Sequence, residues 1–224
     1  MNLAISGKIA SGKDSLADYI VDNYPGKFVK VAFANELKEL ARARFLSEDD
    51  KASYMTNFSK RVVEMYGNTV GASRIWEEFE SVVGAYPEEF HAEKPRRVLQ
   101  DLGNRFRDVV KKDIWVQLLL AQVRKINDVG VNAIVTDMRY QNELDILASK
   151  GFYLLRIEID KGEQMKRYGE LYGNADASKL THISETDLDQ RLYDFTDIWG
   201  TDMQSIKSRW GERIKSLVEL LTKQ

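Results

Sequence analysis

The 224-residue chain predicts an α/β fold on a parallel sheet, and three observations carry that expectation. Short apolar runs alternate with segments of helical periodicity, as strands and their crossover helices do. The first run, Leu3 to Ser6, meets Gly7 and leads through Gly12-Lys13 into a helical pattern. The β-branched run Val131 to Val135 ends in Thr136 and Asp137, the form of a buried strand with a polar carboxyl end.

Taken in order, Leu16, Ala17, Ile20 and Val21 recur at helical spacing after the glycine loop. A second strand is expected over Phe28 to Phe33, followed by a charged helix over Asn35 to Arg44. Lys51 to Phe90 mixes apolar and polar residues and reads as an insertion. Pro95 suits the first turn of a helix, in which Leu99, Leu102, Phe106, Val109 and Val110 make an apolar stripe opposite Arg97, Gln100, Asn104 and Arg107. A helix over Ile114 to Ile126, the strand Val131 to Val135, a helix over Asn142 to Ala148 and a strand over Phe152 to Ile159 follow. Lys161 to Thr181 is polar, contains Gly162, Gly169 and Gly173, and reads as a mobile loop or lid. An amphipathic helix over Met203 to Leu221 closes the pattern. One domain is expected, with a core at about 1–34, 95–160 and 182–224, an insertion at about 35–94 and a lid at about 161–181.

Composition narrows the chemistry. With no cysteine and only His91 and His182, disulfide frameworks, structural zinc and cysteine catalysis are excluded or nearly so. Hydrophobic residues at 43% and charged residues at 30% describe an ordinary soluble protein. No apolar run approaches the roughly 20 residues of a membrane helix, and no signal-like start is present, so a cytoplasmic location is expected. A net charge of −2 argues against a nucleic-acid coat and leaves any anionic ligand to local positive groups.

Gly7-Lys8-Ile9-Ala10-Ser11-Gly12-Lys13 has the phosphate-loop spacing G-x-x-x-x-G-K between a strand and a helix. Glycines let the backbone curl so that successive N–H groups, including those of Lys8, Ala10 and Ser11, surround a phosphate, and the helix N-terminus adds partial positive charge. Lys13 then reaches the β and γ phosphates. Asp14 stands where the usual motif carries the Mg²⁺-binding hydroxyl. The metal contact falls to Asp14, Ser15 or water, or else Asp14 caps the helix. Asp137, at the carboxyl end of its strand, is placed to hold Mg²⁺ or its waters, with a turn-closing Asp as the alternative. Arg139, two residues on, is placed to reach a phosphate shared by two substrates, with an exposed salt bridge as the alternative.

The loop Ser11-Gly12-Lys13-Asp14-Ser15 resembles that of the bacteriophage deoxynucleoside monophosphate kinases. The resemblance continues in Leu99-Gln100-Asp101-Leu102-Gly103 through Arg107 and Asp113-Ile114-Trp115, in Thr136 to Glu143, and in His182-Ile183-Ser184-Glu185-Thr186. Four segments in the same order span about four-fifths of the chain. The resemblance implies a P-loop three-layer fold of adenylate-kinase-like plan, in which the insertion binds a monophosphate and the lid closes over ATP. It implies ATP-dependent phosphorylation of a deoxynucleoside monophosphate, with ATP and Mg²⁺ as cofactors, no nucleic-acid polymer as partner, and a host-cell cytoplasm if the chain is phage-encoded. A homodimer is compatible with it. Where such kinases often carry an Asn-containing turn before the last helix, this chain has Ile198-Trp199-Gly200-Thr201, and Trp199 either stacks on a base or packs internally.

Gln100 and Arg107 then become acceptor-binding candidates, since an amide and a guanidinium on one helix face can hold a phosphate and read a base edge. Arg97, Asn104 and Arg105 are weaker candidates, and a solvated face is the alternative for all of them. Lys166 and Arg167 are the lid cations expected over the ATP phosphates, against the alternative of an exposed charged pair. His182, Ser184 and Glu185 match the family, but Ser-Glu-Thr-Asp also has the form of a helix cap with first-turn acids. Trp115 reads as packing, and His91 has no assigned role. Two other readings compete: a kinase of another phosphorylated small molecule, as in animal phosphomevalonate kinases with their own S-G-K-D loop, and a nucleotide-binding regulatory module without turnover.

Overall fold

The computed structural model describes residues 1–67, 70–87, 96–173, 183–199 and 203–222. Its strands are β1 (Leu3–Gly7), β2 (Phe28–Val31), β3 (Asn132–Val135), β4 (Tyr153–Ile159) and β5 (Phe195–Trp199). They form one parallel sheet in the order β2-β3-β1-β4-β5. Leu3, Ala4 and Ile5 have no exposed surface, as a central parallel strand covered on both faces requires. Pairing with β3 runs from Leu3 opposite Ile134 to Ala4 opposite Val135, whereas β4 stays paired with β1 through Gly7 opposite Ile157. Thr136 and Asp137 therefore leave the sheet at its carboxyl edge.

The helices are α1 (Lys13–Asn23), α2 (Phe33–Arg42), α3 (Glu48–Tyr66), α4 (Ala72–Gly84), α5 (Arg96–Val109), α6 (Ile114–Asp128), α7 (Gln141–Ser149), α8 (Lys161–Tyr172), α9 (Ile183–Thr186) and α10 (Met203–Thr222). The chain is thus an α/β protein. Among the described residues no helix is long and apolar enough to cross a membrane.

Two compact units divide the chain: residues 1–32 with 122–224, and residues 33–121. In the first, Leu3 and Ile5, on the same face of β1, pack with Leu16 and Ile20 of α1 and with Ile214, Val218 and Leu221 of α10. In the second, Met55, Phe58 and Val62 recur along one face of α3 and meet Ile75 and Phe79 of α4 and Leu102 and Phe106 of α5. Phe58 and Phe106 meet edge to face, with ring centroids 5.9 Å apart, a geometry worth about 0.5–1.5 kcal/mol beyond area burial. Residues 96–121, part of the 95–160 stretch expected with the sheet, pack into this helical unit. Ile114, Trp115 and Leu118 share its core, and the Trp115 indole donates to the Gly103 carbonyl at 3.0 Å. Trp115 is a packing residue.

The strand expected to reach Phe33 ends at Val31, because Phe33 is buried as the first residue of α2. A larger correction concerns 161–172, expected as a mobile loop or lid: it is not a loop but helix α8. The Asp160 carboxylate accepts from Gly162 N at 2.8 Å and Glu163 N at 3.1 Å, satisfying two of the N–H groups a helix start leaves open. Gln164 and Tyr168, one turn apart, are buried, and Glu163 pairs with Arg167 at 2.8 Å across the next turn. Glycine content misleads here because Gly169 sits within the helix and Gly173, at φ 62°, ends it. The rest of that expected lid, 174–181, lies outside the described residues. Replacing Asp160 by Ala should cost about 1 kcal/mol, read as a lower denaturation midpoint with faster amide exchange concentrated in 161–172.

Candidate functional site

The glycine loop begins where β1 runs out of room. A Cβ on Gly7 would lie 2.7 Å from the Ile157 carbonyl oxygen and 2.7 Å from Ser11 Oγ, so no larger residue fits without moving β4 or the loop. Two further residues turn the chain back toward α1. Gly12, its N-cap, has φ 93° and ψ 15°, and Ala10 holds φ 63°, a left-handed conformation that costs a non-glycine residue roughly 1–2 kcal/mol. Ser11 N donates to the Lys8 carbonyl at 3.1 Å. Ser11 Oγ itself is buried and has no hydrogen-bond partner among the described residues. A buried hydroxyl left unsatisfied ordinarily costs about 1–3 kcal/mol, so it marks a place where a partner is missing.

Lys13 is 7% exposed, and its ammonium donates to the Gly7 carbonyl at 2.6 Å and the Lys8 carbonyl at 2.8 Å. Burial above all, and then the nearby Arg139 guanidinium, push its pKa down to about 8, against smaller opposing effects of Glu185 and Asp14. Arg139 donates through Nη1 to the Glu185 carboxylate, whose other oxygen accepts the Ile9 N–H at 2.6 Å. Glu143 orients this arginine from behind by accepting Arg139 N at 2.8 Å and Tyr140 N at 3.1 Å. On the β4 side, Asp189 bridges Lys8 at 2.9 Å and Arg156 at 2.6 Å, while Arg156 also donates to Ser6 Oγ at 2.8 Å. Gln164 of α8 donates to the Ile9 carbonyl at 3.0 Å. A cavity of about 500 Å³ opens beside these groups, lined among others by Lys8, Arg156, Lys161, Gln164, Met165 and Asp189.

Gly7, Lys8, Ala10, Ser11, Gly12, Lys13 and Arg139 thus surround one loop at the carboxyl edge of the sheet. Asp14 follows in the first turn of α1, largely exposed, where its carboxylate accepts the Thr136 hydroxyl at 3.0 Å and stands 3.7 Å from Lys30. Ser15 is exposed, and Asp137 is half-buried one residue beyond Thr136. Among the described residues no three metal-ligating side chains of His, Cys, Asp or Glu gather to hold an ion unaided. Lys166 is exposed on α8, while Arg167 points along the helix to Glu163.

In the helical unit, Gln100 is exposed and Arg107 half-buried, with its guanidinium packed over Gly103. Arg105 pairs with Glu78 at 3.2 Å. Arg97 lies over the Tyr86 ring, 5.6 Å from its centroid. Asn104 is exposed. His91, His182 and the side chains of Ser184 and Trp199 lie outside what is described.

Sequence reasoning missed Gln164, Arg156 and Asp189 as neighbours of the loop. It left Glu185 between a cap and a functional group, and the structure gives that carboxylate a loop amide and an arginine. No local pattern marks these contacts, since Gln164 and Glu185 are separated from Ile9 by 155 and 176 positions.

No protein-family model and no curated protein matches the chain. Among solved structures, an uncharacterized protein from Eubacterium ventriosum ATCC 27560 is similar at 15% identity and a TM-score of 0.42, covering 96% of this chain and 98% of that one. A likeness so distant carries no inference.

Lys13 yields a test of the site's electrostatics. Below about 8 its ammonium is charged in folded and unfolded chains alike; between about 8 and its ordinary 10.5, the unfolded chain keeps a proton the folded chain has released. Raising the pH through that window should therefore stabilise the fold through this group. Urea melts at the two ends of the window should show a larger rise for the native chain than for Lys13→Met.

Proposed function

We propose that the chain is a P-loop kinase that transfers the γ-phosphoryl group of ATP to a deoxynucleoside monophosphate, giving ADP and the diphosphate. The observation that carries this reading is the loop after β1, in which a buried lysine and a buried Ser11 hydroxyl, without a partner among the described residues, lie beside curled backbone. Those features suit a phosphate chain: its oxygens accept hydrogen bonds from amides, the hydroxyl and the ammonium together, where no apolar ligand would. The loop's position is a second support, because ligands of open parallel sheets bind outside the strands' carboxyl ends.

On this reading Gly7 to Lys13 wrap the β and γ phosphates, and Lys13 leaves the loop carbonyls to follow the migrating group. Arg139 offsets charge on the phosphoryl group in transfer. Asp14, Ser15 and Asp137 are the candidates to hold Mg²⁺ or its waters. Few protein ligands are needed, since Mg²⁺ in such sites takes the rest from phosphates and water. Held there, Mg²⁺ would supply positive charge against the phosphates. Gln100 and Arg107 are assigned to the acceptor monophosphate, whereas Arg97 and Arg105 are engaged within their own unit by Tyr86 and Glu78. Lys166 and Arg167 remain candidates for the ATP phosphates; for Arg167 this requires release from Glu163.

Measuring ADP release with ATP, Mg²⁺ and a panel of deoxynucleoside and ribonucleoside monophosphates tests the activity. Turnover with a deoxynucleotide and little with its ribonucleotide is expected. Turnover only with some other phosphorylated acceptor would keep the loop and reject the substrate class, and ATP binding without turnover would favour the regulatory module. Lys13→Ala should retain the fold and lower turnover by about 10²-fold or more; near-native turnover removes Lys13 from the chemistry. Arg107→Ala should raise KM for the monophosphate much more than KM for ATP. An equal rise in both takes Arg107 out of the acceptor site.

A further inference from the structure

Helix α9 and the turn that follows it bring two carboxylates to the loop's cationic and donor groups. Glu185 accepts the Ile9 N–H at 2.6 Å and the Arg139 guanidinium, while Asp189 joins Lys8 at 2.9 Å to Arg156 at 2.6 Å. Glu185 is 8% exposed, so this is not a chance contact between solvated chains. A carboxylate held by a backbone amide and an arginine has the charge and hydrogen-bonding pattern of a phosphate oxygen pair. Lys13 meanwhile satisfies itself on loop carbonyls, and Ser11 Oγ has no partner among the described residues. Ile9 N, Lys8 Nζ and Lys13 Nζ thus already have acceptors within the chain.

We propose that Glu185 is an internal anion that occupies the loop in place of phosphate, so that a phosphate ligand binds by displacing its carboxylate from Ile9 and Arg139. This rests on the reading of the loop as a phosphate site and adds to it a competing group within the chain. Glu185 then acts as a latch: it stabilises the loop when no ligand is present and lowers affinity by the fraction of molecules in which it is engaged. On release, Arg139 loses its carboxylate partner and is freed for the incoming phosphate. The same exchange would hold for any polyphosphate, whatever group it carries.

The test is calorimetric titration of the full chain with inorganic triphosphate, using native protein, Glu185→Gln, Asp187→Asn and Lys13→Ala, each checked by a thermal melt. Asp187, two residues on in the turn after α9, accepts instead from Gln141 N at 2.9 Å and Gln141 Nε2 at 3.2 Å. Glu185→Gln should tighten triphosphate binding by about fivefold or more, and Asp187→Asn should leave it within about twofold. Unchanged or weaker binding by Glu185→Gln overturns the latch, as does an equal gain in both variants, which would mean diffuse charge repulsion. If Glu185→Gln fails to fold, Glu185→Asp, one methylene too short to hold both partners, should show the same gain, and its absence overturns the proposal. Absence of triphosphate binding to the native chain and every folded Glu185 variant overturns the phosphate reading as well; binding that Lys13→Ala weakens but Glu185→Gln does not strengthen overturns the latch alone.

Discussion

At Gly7 the backbone of β1 passes so close to β4 that a single methyl group would meet the Ile157 carbonyl oxygen at 2.7 Å. The same missing side chain leaves room for Ser11 Oγ, and it lets the loop fold back over the end of its own strand. Register depends on that approach: β1 and β4 stay paired through Gly7 opposite Ile157, which holds Arg156 opposite Ser6 and within reach of its hydroxyl. Lys13 can be buried because the loop carbonyls of Gly7 and Lys8 converge on its ammonium. The position of the site's cations therefore follows from how closely two strands come together at one residue.

Charge around the loop is balanced locally although the whole chain carries only −2. Lys8, Lys13, Arg139 and Arg156 converge on a few residues, and for the buried two, Lys13 and Arg156, isolation would be costly. Glu185 and Asp189 each take two partners there, whereas the depressed pKa of Lys13 shows that its own neutralisation is incomplete. That group carries a desolvation cost that carbonyl oxygens offset only in part.

Much of the architecture was legible because its signals are local. The run Leu3 to Ser6, the loop spacing and the β-branched strand ending at Val135 each depend on residues adjacent in sequence, and their elements lie where periodicity puts them to within a residue or two. Helices α3 and α4 were obscured by their polar faces, although Met55, Phe58 and Val62 carry the i, i+3, i+7 spacing of a buried stripe. Helix α8 was missed because glycine count outweighed the Asp160 cap and the buried pair Gln164 and Tyr168. Residues 95–121 were assigned by chain order to the sheet, yet Trp115 and Leu118 bury themselves against α5 and the helices before it.

The site divides along the same line. Residues that form the loop were readable, since a curled backbone needs glycines at fixed spacing; residues that neutralise it were not, since a carboxylate can arrive from any point in the chain. Glu185 shows the difference well. Read locally, it is a first-turn acid of a four-residue helix, where it would interact weakly with a short dipole. Read in space, it accepts a loop amide and an arginine, two charge-assisted bonds in a nearly buried setting. Such bonds are each stronger than a helix-end contact on a solvated surface. The spatial role therefore outweighs the capping role, and the constraint on this position is to the loop, not to the helix that carries it.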